Sequence, residues 1–320
     1  MGTFFYVRLF AQTELYILSA MNVTIIGLGL IGGSIAKDLK RTGFATEIVG
    51  VDSNPEHGKQ AVELGIADRY EEMETAVKQT DVVIIAIPVD KIKLILPQVL
   101  DLIPDNATVT DVGSTKRDIV NVVENHPKRG NYVASHPMSG TENSGPVSAI
   151  ENLFENKICI ICDQQNSRPQ HLALIEKMYQ SIGMSTAYMT SDEQDHNTAF
   201  VSHLPHVTAF ALANVVLAKE DRSIIFDLAS GGFRSTVRLA KSSPEMWGPI
   251  FHQNSDYMVE AIEEYQKHLE AFKKSIQHEN TDGMMKLIKH ANGIRSVLDG
   301  GNQSMTKKEK TIIQLFTPKN

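Results

Sequence analysis

Residues 22–33 read Asn-Val-Thr-Ile-Ile-Gly-Leu-Gly-Leu-Ile-Gly-Gly, an apolar strand pattern that runs directly into the glycine pattern G-x-G-x-x-G. The pattern's glycines are Gly27, Gly29 and Gly32, and a helical pattern follows to about Arg41. In a strand–turn–helix unit they allow a tight turn, a close approach of the backbone to a pyrophosphate, and close packing of helix on strand. This stretch therefore predicts a dinucleotide-binding unit at the start of a doubly wound parallel sheet.

The cofactor is predicted from the end of the second strand, where Asp52 stands twenty residues beyond Gly32. A carboxylate there accepts hydrogen bonds from the adenosine ribose and repels a 2′-phosphate. Residues 53–55 offer no arginine to hold such a phosphate, so the pattern favours NAD over NADP. We expect the pyrophosphate at the helix N-terminus, on the N–H groups near Leu30 and Ile31. The alternative is a domain whose glycine turn no longer binds a nucleotide.

The chain changes character near residue 190. Short apolar strands alternate with helical stretches before that point, which is typical of a parallel sheet covered on both faces. One predicted strand, over residues 81–88, ends at Pro88, which we expect to cover part of the dinucleotide. Beyond residue 190 the patterns are helical. We predict an α/β fold: an appendage over residues 1–20, a Rossmann-type domain over 21–189, an all-helical domain over 190–298 and a tail over 299–320.

The helical domain is predicted to contain two long helices, over residues 192–219 and 252–277, with a break at the Gly-Gly pair 231–232. Both helices carry apolar residues at spacings of three and four. A domain one helix deep cannot bury such stripes alone, so we expect a homodimer formed through this domain.

Composition excludes several classes of protein. Among 320 residues, 42% are hydrophobic and 22% charged, and 31 basic against 38 acidic residues give a net charge of −7. An acidic chain is a poor binder of nucleic acid or anionic membranes, and no fully apolar run approaches the ~20 residues needed to span a bilayer. Two cysteines, Cys159 and Cys162, exclude a disulfide scaffold and favour the cytoplasm. Their C-x-x-C spacing lies on a predicted strand, where residues three apart face opposite sides, so we expect core residues and not a redox pair.

Four further segments carry side chains suited to catalysis or anion binding. They are TDVGSTK at residues 110–116, SHPMSGTE at 135–142, SHLPH at 202–206 and GGFRSTVR at 231–238. The first two follow predicted strands of the sheet, and the last two belong to the helical domain. Together with the glycine pattern they predict a cleft between the two domains.

The run of GLGLIGGS, DVGSTK, SHPMSGTE, SHLPH and GGFRSTVRLAKSSPEMW resembles the prephenate dehydrogenase (TyrA) family from about Met21 to about residue 290. The resemblance implies NAD-linked oxidative decarboxylation of prephenate to 4-hydroxyphenylpyruvate, a step of tyrosine biosynthesis, in a dimer built through the helical domain. Many relatives carry an added regulatory or chorismate mutase domain, for which we expect no room here. Any feedback inhibition by tyrosine would then act at the active site.

The resemblance also implies roles for individual residues in the Rossmann-type domain. His136 matches the family's catalytic histidine, and Ser114 matches the serine that bridges it to the substrate hydroxyl and the nicotinamide ribose. A neutral imidazole, with a reference pKa of about 6.5, can accept the hydroxyl proton. The alternatives are an ordinary loop histidine and a serine that merely caps a helix.

In the helical domain, His203 and His206 lie three residues apart and share a helix face, with Pro205 between them expected to kink the helix. By the resemblance His206 contacts the substrate, whereas His203 is either a contact or a supporting residue. Arg238 matches the substrate-binding arginine and is expected to grip the ring carboxylate through its planar guanidinium. Trp247 either lies near the substrate or anchors the helical core.

Other functions stay open. An arogenate or cyclohexadienyl dehydrogenase would need an acid near the substrate amine, for which Glu142 and Asp195 are candidates. A 3-hydroxyacid dehydrogenase typically uses a lysine as its acid and base, which fits the SHLPH segment poorly. A nucleotide sensor without catalysis would have lost His136 or Arg238, and both are present.

A metal site is not expected. The histidines of the first long helix could be imagined as zinc ligands, but no carboxylate or cysteine completes the set. The oxidation of prephenate also needs no Lewis acid.

Overall fold

The computed structural model describes residues 21–219 and 231–298, which form an α/β domain followed by a helical domain. The last strand ends at Met189, and the first helix of the helical domain begins at Ser191. The predicted appendage, residues 1–20, and the predicted tail, residues 299–320, lie outside the described residues.

The described strands form one sheet in the order β3-β2-β1-β4-β5-β6-β7-β8. In chain order they are β1 Met21–Ile26, β2 Ala45–Val51, β3 Arg69–Tyr70, β4 Val82–Ile85, β5 Thr108–Asp111, β6 Tyr132–Pro137, β7 Ile158–Cys162 and β8 Ser185–Met189. Neighbouring strands run parallel except β6 and β7, which are antiparallel. The strand order reverses between β1 and β4, and this opens a crevice at their carboxyl ends. The predicted doubly wound fold is confirmed.

Helices of the α/β domain cover both faces of this sheet. They are α1 Leu30–Arg41, α2 Pro55–Glu63, α3 Met73–Ala76, α4 Val89–Leu102, α5 Arg117–Asn121 and α6 Pro169–Ser181. The helical domain contributes α7 Ser191–Thr198, α8 Leu204–Leu217, α9 Gly231–Thr236, α10 Pro244–Gln253, α11 Ser255–Gln277, α12 Thr281–Ala291 and α13 Ile294–Leu298.

Three element boundaries differ from the sequence-based prediction. The strand predicted over residues 81–88 ends at Ile85, and Pro88 is the N-cap of α4, a position where its missing N–H costs nothing. The helix predicted over 252–277 begins only at Ser255. The Gly231–Gly232 pair, where a break was predicted, forms the first two residues of α9.

The two faces of the sheet pack into two separate cores, and the two cysteines distinguish them. Cys159 belongs to the core beneath α1 and α6, whereas Cys162 belongs to the core beneath α4. Both thiols are free and fully buried, so the prediction that they face opposite sides of the strand is confirmed. Trp247 and Ile250 of α10 join the α4 core and thereby tie the helical domain to the sheet.

One long helix of the helical domain is apolar but mostly uncovered. Ser191–Leu217 has a mean hydropathy of 1.5 over its most apolar window, of which 11% is buried. By length and composition alone this helix could cross a membrane. The sequence does not show this as an uninterrupted apolar run. Its first half nevertheless packs on the α/β domain, where Gln194, Asp195 and His203 are buried.

Candidate active site

The glycine turn after β1 lies directly against the chain that leaves β4. Gly27 has a φ of +98°, and a Cβ there would overlap the Ala86 carbonyl. A Cβ on Gly32 would overlap the Gly27 carbonyl, whereas Gly29 faces open space with its nearest neighbour, Gly145 N, 4.0 Å away. The turn therefore offers bare backbone to a ligand.

Helix α1 begins at this open position without a side-chain cap. Its N-cap is Gly29, and its first turn, which holds Leu30 and Ile31, carries no acidic residue. The free N–H groups and positive end of the helix dipole are thus available to a pyrophosphate. The residues present fit a dinucleotide.

Asp52 and Pro88 flank the same crevice. Asp52 follows β2 and accepts hydrogen bonds from Leu28 N at 3.0 Å and from Asn54 N at 2.9 Å. Each carboxylate oxygen has a further lone pair for a ribose hydroxyl. Pro88 is exposed at the start of α4, two residues after Ala86.

His136 and Ser114 meet through a glutamine of the helical domain. Gln194 Nε2 lies 2.9 Å from His136 Nδ1 and 3.0 Å from the Ser114 carbonyl oxygen, to which it donates a hydrogen bond. His136 is 8% exposed at the end of β6, and Gln194 is fully buried on α7. The two predicted catalytic residues of the α/β domain thus share one hydrogen-bonding partner, Gln194, which belongs to the helical domain.

Charge and burial keep the His136 imidazole neutral. Burial, followed by the positive charge of Lys116 and the neighbouring His203, lowers its pKa well below the ordinary value of 6.5. Lys116 is itself fully buried, donates to the Ser135 carbonyl at 2.8 Å, and forms an ion pair with Asp111. This pair joins the carboxyl ends of β5 and β6, the strands that carry Ser114 and His136.

A second buried residue of the helical domain, Asp195, is hydrogen-bonded to the backbone next to Ser114. Asp195 accepts hydrogen bonds from Lys116 N at 2.7 Å and Arg117 N at 2.9 Å, at the start of α5. Burial raises the pKa of this carboxyl to about 6. Asp195 is 1% exposed and both its oxygens accept from backbone N–H groups, which does not support its predicted candidacy as an acid for a substrate amine.

A wide helical turn sets the two histidines of the SHLPH segment. Residues Ala199–His203 form a π-helical turn before Pro205, a widening typical of functional sites. His203 is fully buried 3.1 Å from Asn254 Nδ2, and burial lowers its pKa to about 4. It therefore lies behind the cleft, supporting its neighbours.

His206 is half-buried and stacks on Trp247, with ring centroids 3.5 Å apart. Its Nδ1 donates to the Ser202 carbonyl at 2.9 Å, which leaves Nε2 for a ligand. Trp247 is 6% exposed and belongs to the α4 core, so it is both an anchor of α10 and the platform beneath His206.

Arg238 of the helical domain pairs with a carboxylate of the α/β domain. Its side chain is 54% exposed, and it forms an ion pair with Glu142 at 2.7 Å. Its positive charge adds to burial in lowering the pKa of His206. A guanidinium cation and a carboxylate thus stand together beside His206.

No three histidine, cysteine or carboxylate side chains gather as a metal site anywhere in residues 21–219 and 231–298.

Comparison with known proteins agrees with this architecture. A family model for the nucleotide-binding domain of prephenate dehydrogenase matches residues 35–188, and one for its dimerization domain matches residues 190–290. Prephenate dehydrogenase of Bacillus subtilis (strain 168) is 31% identical over 281 residues, covering 87% of this chain and 76% of the relative. The chain belongs to the prephenate dehydrogenase family.

Two further relatives are similar to this chain over most of its length. Cyclohexadienyl dehydrogenase of Zymomonas mobilis is 27% identical, covering 87% of this chain and 96% of the relative. A crystal structure of A. aeolicus prephenate dehydrogenase, in complex with hydroxyphenyl propionate and NAD⁺, is 34% identical with a TM-score of 0.80, covering 87% of this chain and 98% of that one. The predicted family, oxidoreductase class and nicotinamide cofactor, NAD, are confirmed.

Two residues of this family site escaped sequence reasoning. Lys116 was visible in the DVGSTK segment, but nothing in the sequence showed that its charge is buried beside His136. Gln194 lies just after a Thr190–Glu193 capping box, which places it near the start of a helix. That signal locates Gln194 on α7 but does not reveal its contact with the histidine, which depends on how the two domains pack.

Proposed function

We propose that this chain catalyses the NAD-dependent oxidative decarboxylation of prephenate to 4-hydroxyphenylpyruvate in tyrosine biosynthesis. The observation that carries the proposal is the buried imidazole of His136 next to Ser114, together with the half-exposed guanidinium of Arg238 near His206. The reaction needs a group that takes the hydroxyl proton and a cation for a carboxylate, and a neutral imidazole and a guanidinium are groups of these two kinds.

In this proposal each side chain has one task. NAD, held by Gly27, Gly29, Leu30, Ile31, Gly32, Asp52 and Pro88, supplies the hydride acceptor. His136, with Ser114, accepts the hydrogen bond of the C4 hydroxyl as the C4–H bond breaks and hydride leaves. The bond from C1 to its carboxylate then breaks, CO2 departs, and the electron pair of that bond makes the ring aromatic. The hydroxyl proton ends on the phenol, so no net proton is released.

Binding of the substrate anions falls to the helical domain in this proposal. Arg238 holds the ring carboxylate by charge-assisted hydrogen bonds, and His206 presents Nε2 beside it. Trp247 supports His206 by stacking, and His203 packs edge-on against Trp247 with ring centroids 5.8 Å apart.

Arogenate is the second candidate substrate, as in a cyclohexadienyl or arogenate dehydrogenase. Glu142 favours it, because this carboxylate lies on the Arg238 guanidinium and could pair with the amine of arogenate. Formation of NADH with prephenate, arogenate and a 3-hydroxyacid, assayed in parallel, separates these functions. Turnover of the 3-hydroxyacid alone, or of none of the three, would contradict the proposal.

Cofactor preference has its own test. We expect kcat/KM to be higher with NAD than with NADP, because the Asp52 carboxylate repels a 2′-phosphate. Asp52→Ala should lower this ratio by roughly 10- to 150-fold, which corresponds to the about 1.5–3 kcal/mol of a hydrogen bond to a charged group. Equal kcat/KM values in the unaltered protein would show that Asp52 does not select the cofactor.

We also propose a cytoplasmic homodimer with its interface in the helical domain. Large apolar side chains of this domain are exposed in the single chain, among them Val215, Leu269 and Ile276 at 60%, 50% and 62%. A second copy covering them removes this apolar surface from water. The buried, free cysteines fit a reducing compartment.

A further inference from the structure

Gln194 joins the two domains at the proposed catalytic histidine. It is fully buried on α7, whose start is fixed by the reciprocal hydrogen bonds of Thr190 and Glu193. A single atom, its Nε2, lies within hydrogen-bond distance of both Ser114 O and His136 Nδ1. The side chain therefore has little freedom to move away from the imidazole.

The Ser114 carbonyl decides which end of the amide faces the histidine. A carbonyl oxygen only accepts hydrogen bonds, so the amide atom 3.0 Å from it must be the NH2 nitrogen. One N–H of this group points to Ser114 O, and the other points to His136 Nδ1, 2.9 Å away. Nδ1 is then the acceptor, and a neutral His136 ring carries its proton on Nε2.

We propose that Gln194 is a positioning residue that sets the tautomer of His136, an inference that rests on the proposed role of this histidine in dehydrogenation. In the ligand-free protein the amide holds the ring as the Nε2–H form, which presents a donor to the cleft. To accept the hydroxyl proton at Nε2, the ring must carry its proton on Nδ1. The Gln194 amide must then rotate by 180° about its Cγ–Cδ bond, so that Oε1 accepts a hydrogen bond from that proton.

The surroundings make this turn costly in the free protein. In the turned orientation Oε1 would lie against the Ser114 carbonyl, an acceptor facing an acceptor, and that carbonyl would lose its donor. In the present orientation Oε1 is buried without a hydrogen-bond donor, and the turn would put the NH2 group in its place. The orientation of the amide and the position of the ring proton are therefore coupled.

The charged and titratable groups around His136 do not fix the tautomer themselves. Lys116, on the segment after β5, and His203, in the π-helical turn, both oppose a positive charge on the ring. Cys159 on β7 is neutral, since burial raises the pKa of its thiol to about 12. Lys116 and His203 thus disfavour the imidazolium ion. Neither of them contacts Nδ1 in the hydrogen bonds described, whereas Gln194 does.

The test compares Gln194→Glu with Gln194→Met in the full-length protein. A carboxylate can only accept, so Gln194→Glu should move the ring proton to Nδ1. It should also raise the pH at which His136 becomes doubly protonated by at least about one unit, the usual effect of a neighbouring opposite charge. Methionine neither donates nor accepts, so Gln194→Met should give both tautomers.

The readout is the ¹⁵N chemical shift of the His136 ring nitrogens, assigned with His136→Asn, because it distinguishes the tautomers without any turnover. In the unaltered protein we expect the proton on Nε2. The acid limb of kcat/KM should shift upward in Gln194→Glu and not in Gln194→Met. Gln253→Met is the matched control: Gln253 is another buried glutamine of the helical domain, which accepts from Thr115 Oγ1 at 2.7 Å. It should leave the tautomer unchanged.

An Nδ1–H ring in the unaltered protein would overturn the inference. So would the same tautomer and the same pH profile in the glutamate and methionine variants, because that result is what a merely structural glutamine gives. Failure of the proposed function looks different: the ring shifts would move as expected, but neither prephenate nor arogenate would be oxidised.

Discussion

Strand β4 and helix α11 show how differently the two domains treat their apolar side chains. All four residues of β4 are buried, whereas α11 buries Met258 and Ala261 among its 23 residues. Helix α12 buries none. The α/β domain thus completes its own cores, and the helical domain does not.

The same contrast separates the candidate site residues. His136 and its supports, Lys116 and Asp111, are buried in hydrogen-bonded positions of the α/β domain. Arg238, from the helical domain, is 54% exposed and pairs with Glu142. We infer that the α/β domain holds the reacting side chains in fixed positions, and that the helical domain binds the substrate anions and forms the dimer.

The largest expected effect tests the chemistry of the α/β domain. His136→Asn should lower kcat by roughly 10²–10⁴, the usual span for a general acid–base group, because the hydroxyl proton shifts only as hydride leaves. KM for prephenate and for NAD should change little. Steady-state kinetics measure this, and an unchanged kcat would show that His136 is not the acceptor.

The next effect tests whether the helical domain needs a partner. Leu269 on α11 is 50% exposed, and burying such a side chain in both protomers contributes about 3–6 kcal/mol. Leu269→Glu should therefore weaken the dimer by more than roughly a hundredfold.

Light scattering across a dilution series measures this association against a matched control. Leu94→Glu changes an equally large apolar residue, 61% exposed on α4 of the α/β domain, and should leave a mass twice 35.4 kDa. If both variants, or the unaltered chain, gave 35.4 kDa at micromolar concentration, the contrast between the domains would not reflect assembly.

The binding role of the helical domain gives a smaller effect. Arg238→Gln should raise KM for prephenate by roughly 10- to 150-fold, which corresponds to about 1.5–3 kcal/mol for hydrogen bonds to a charged group. KM for NAD should stay nearly constant. Some loss of kcat is compatible with this role, because the departing CO2 comes from the carboxylate that Arg238 is proposed to hold. A change in NAD binding with prephenate binding intact would misplace the substrate pocket.

The smallest effect concerns pH, through groups buried where the domains meet. His136 and His203 have lowered pKa values in the folded protein. Below pH 6.5 the unfolded chain therefore binds two protons that the folded protein does not, and stability falls as pH falls. Asp195 acts in the opposite direction, because its raised pKa lets the folded protein bind a proton first between about pH 6 and 4.

The lowered histidine pKa values outweigh the one raised carboxyl pKa, so the free energy of unfolding should fall as the pH falls from about 6 to 4. His203→Gln should flatten this dependence, measured by urea unfolding at several pH values. The exposed His278→Gln is the control and should keep the slope of the unaltered protein. Equal slopes for all three proteins would mean that His203 is not buried as a neutral group.

Much of the α/β domain was predictable because its signals are local. Gly27 and Gly32 stand where only bare backbone fits, so a few residues in sequence already specify the turn. The Gly231–Gly232 pair carried no such constraint: a Cβ at either meets nothing within 4 Å. This pair forms the first two residues of α9.

The sequence by itself determined the doubly wound fold, the cofactor class, the family and the membership of His136, His206 and Arg238 in one set of motifs. Only the tertiary structure decided that Asp195 binds the backbone next to Ser114, that His203 is buried, and that Gln194 contacts the imidazole. The physical reason is distance along the chain: Gln194 and His136 lie 58 residues apart and meet only when the two domains pack. Strand, turn and helix patterns are set by neighbouring residues, whereas burial and proton position depend on everything that surrounds a side chain.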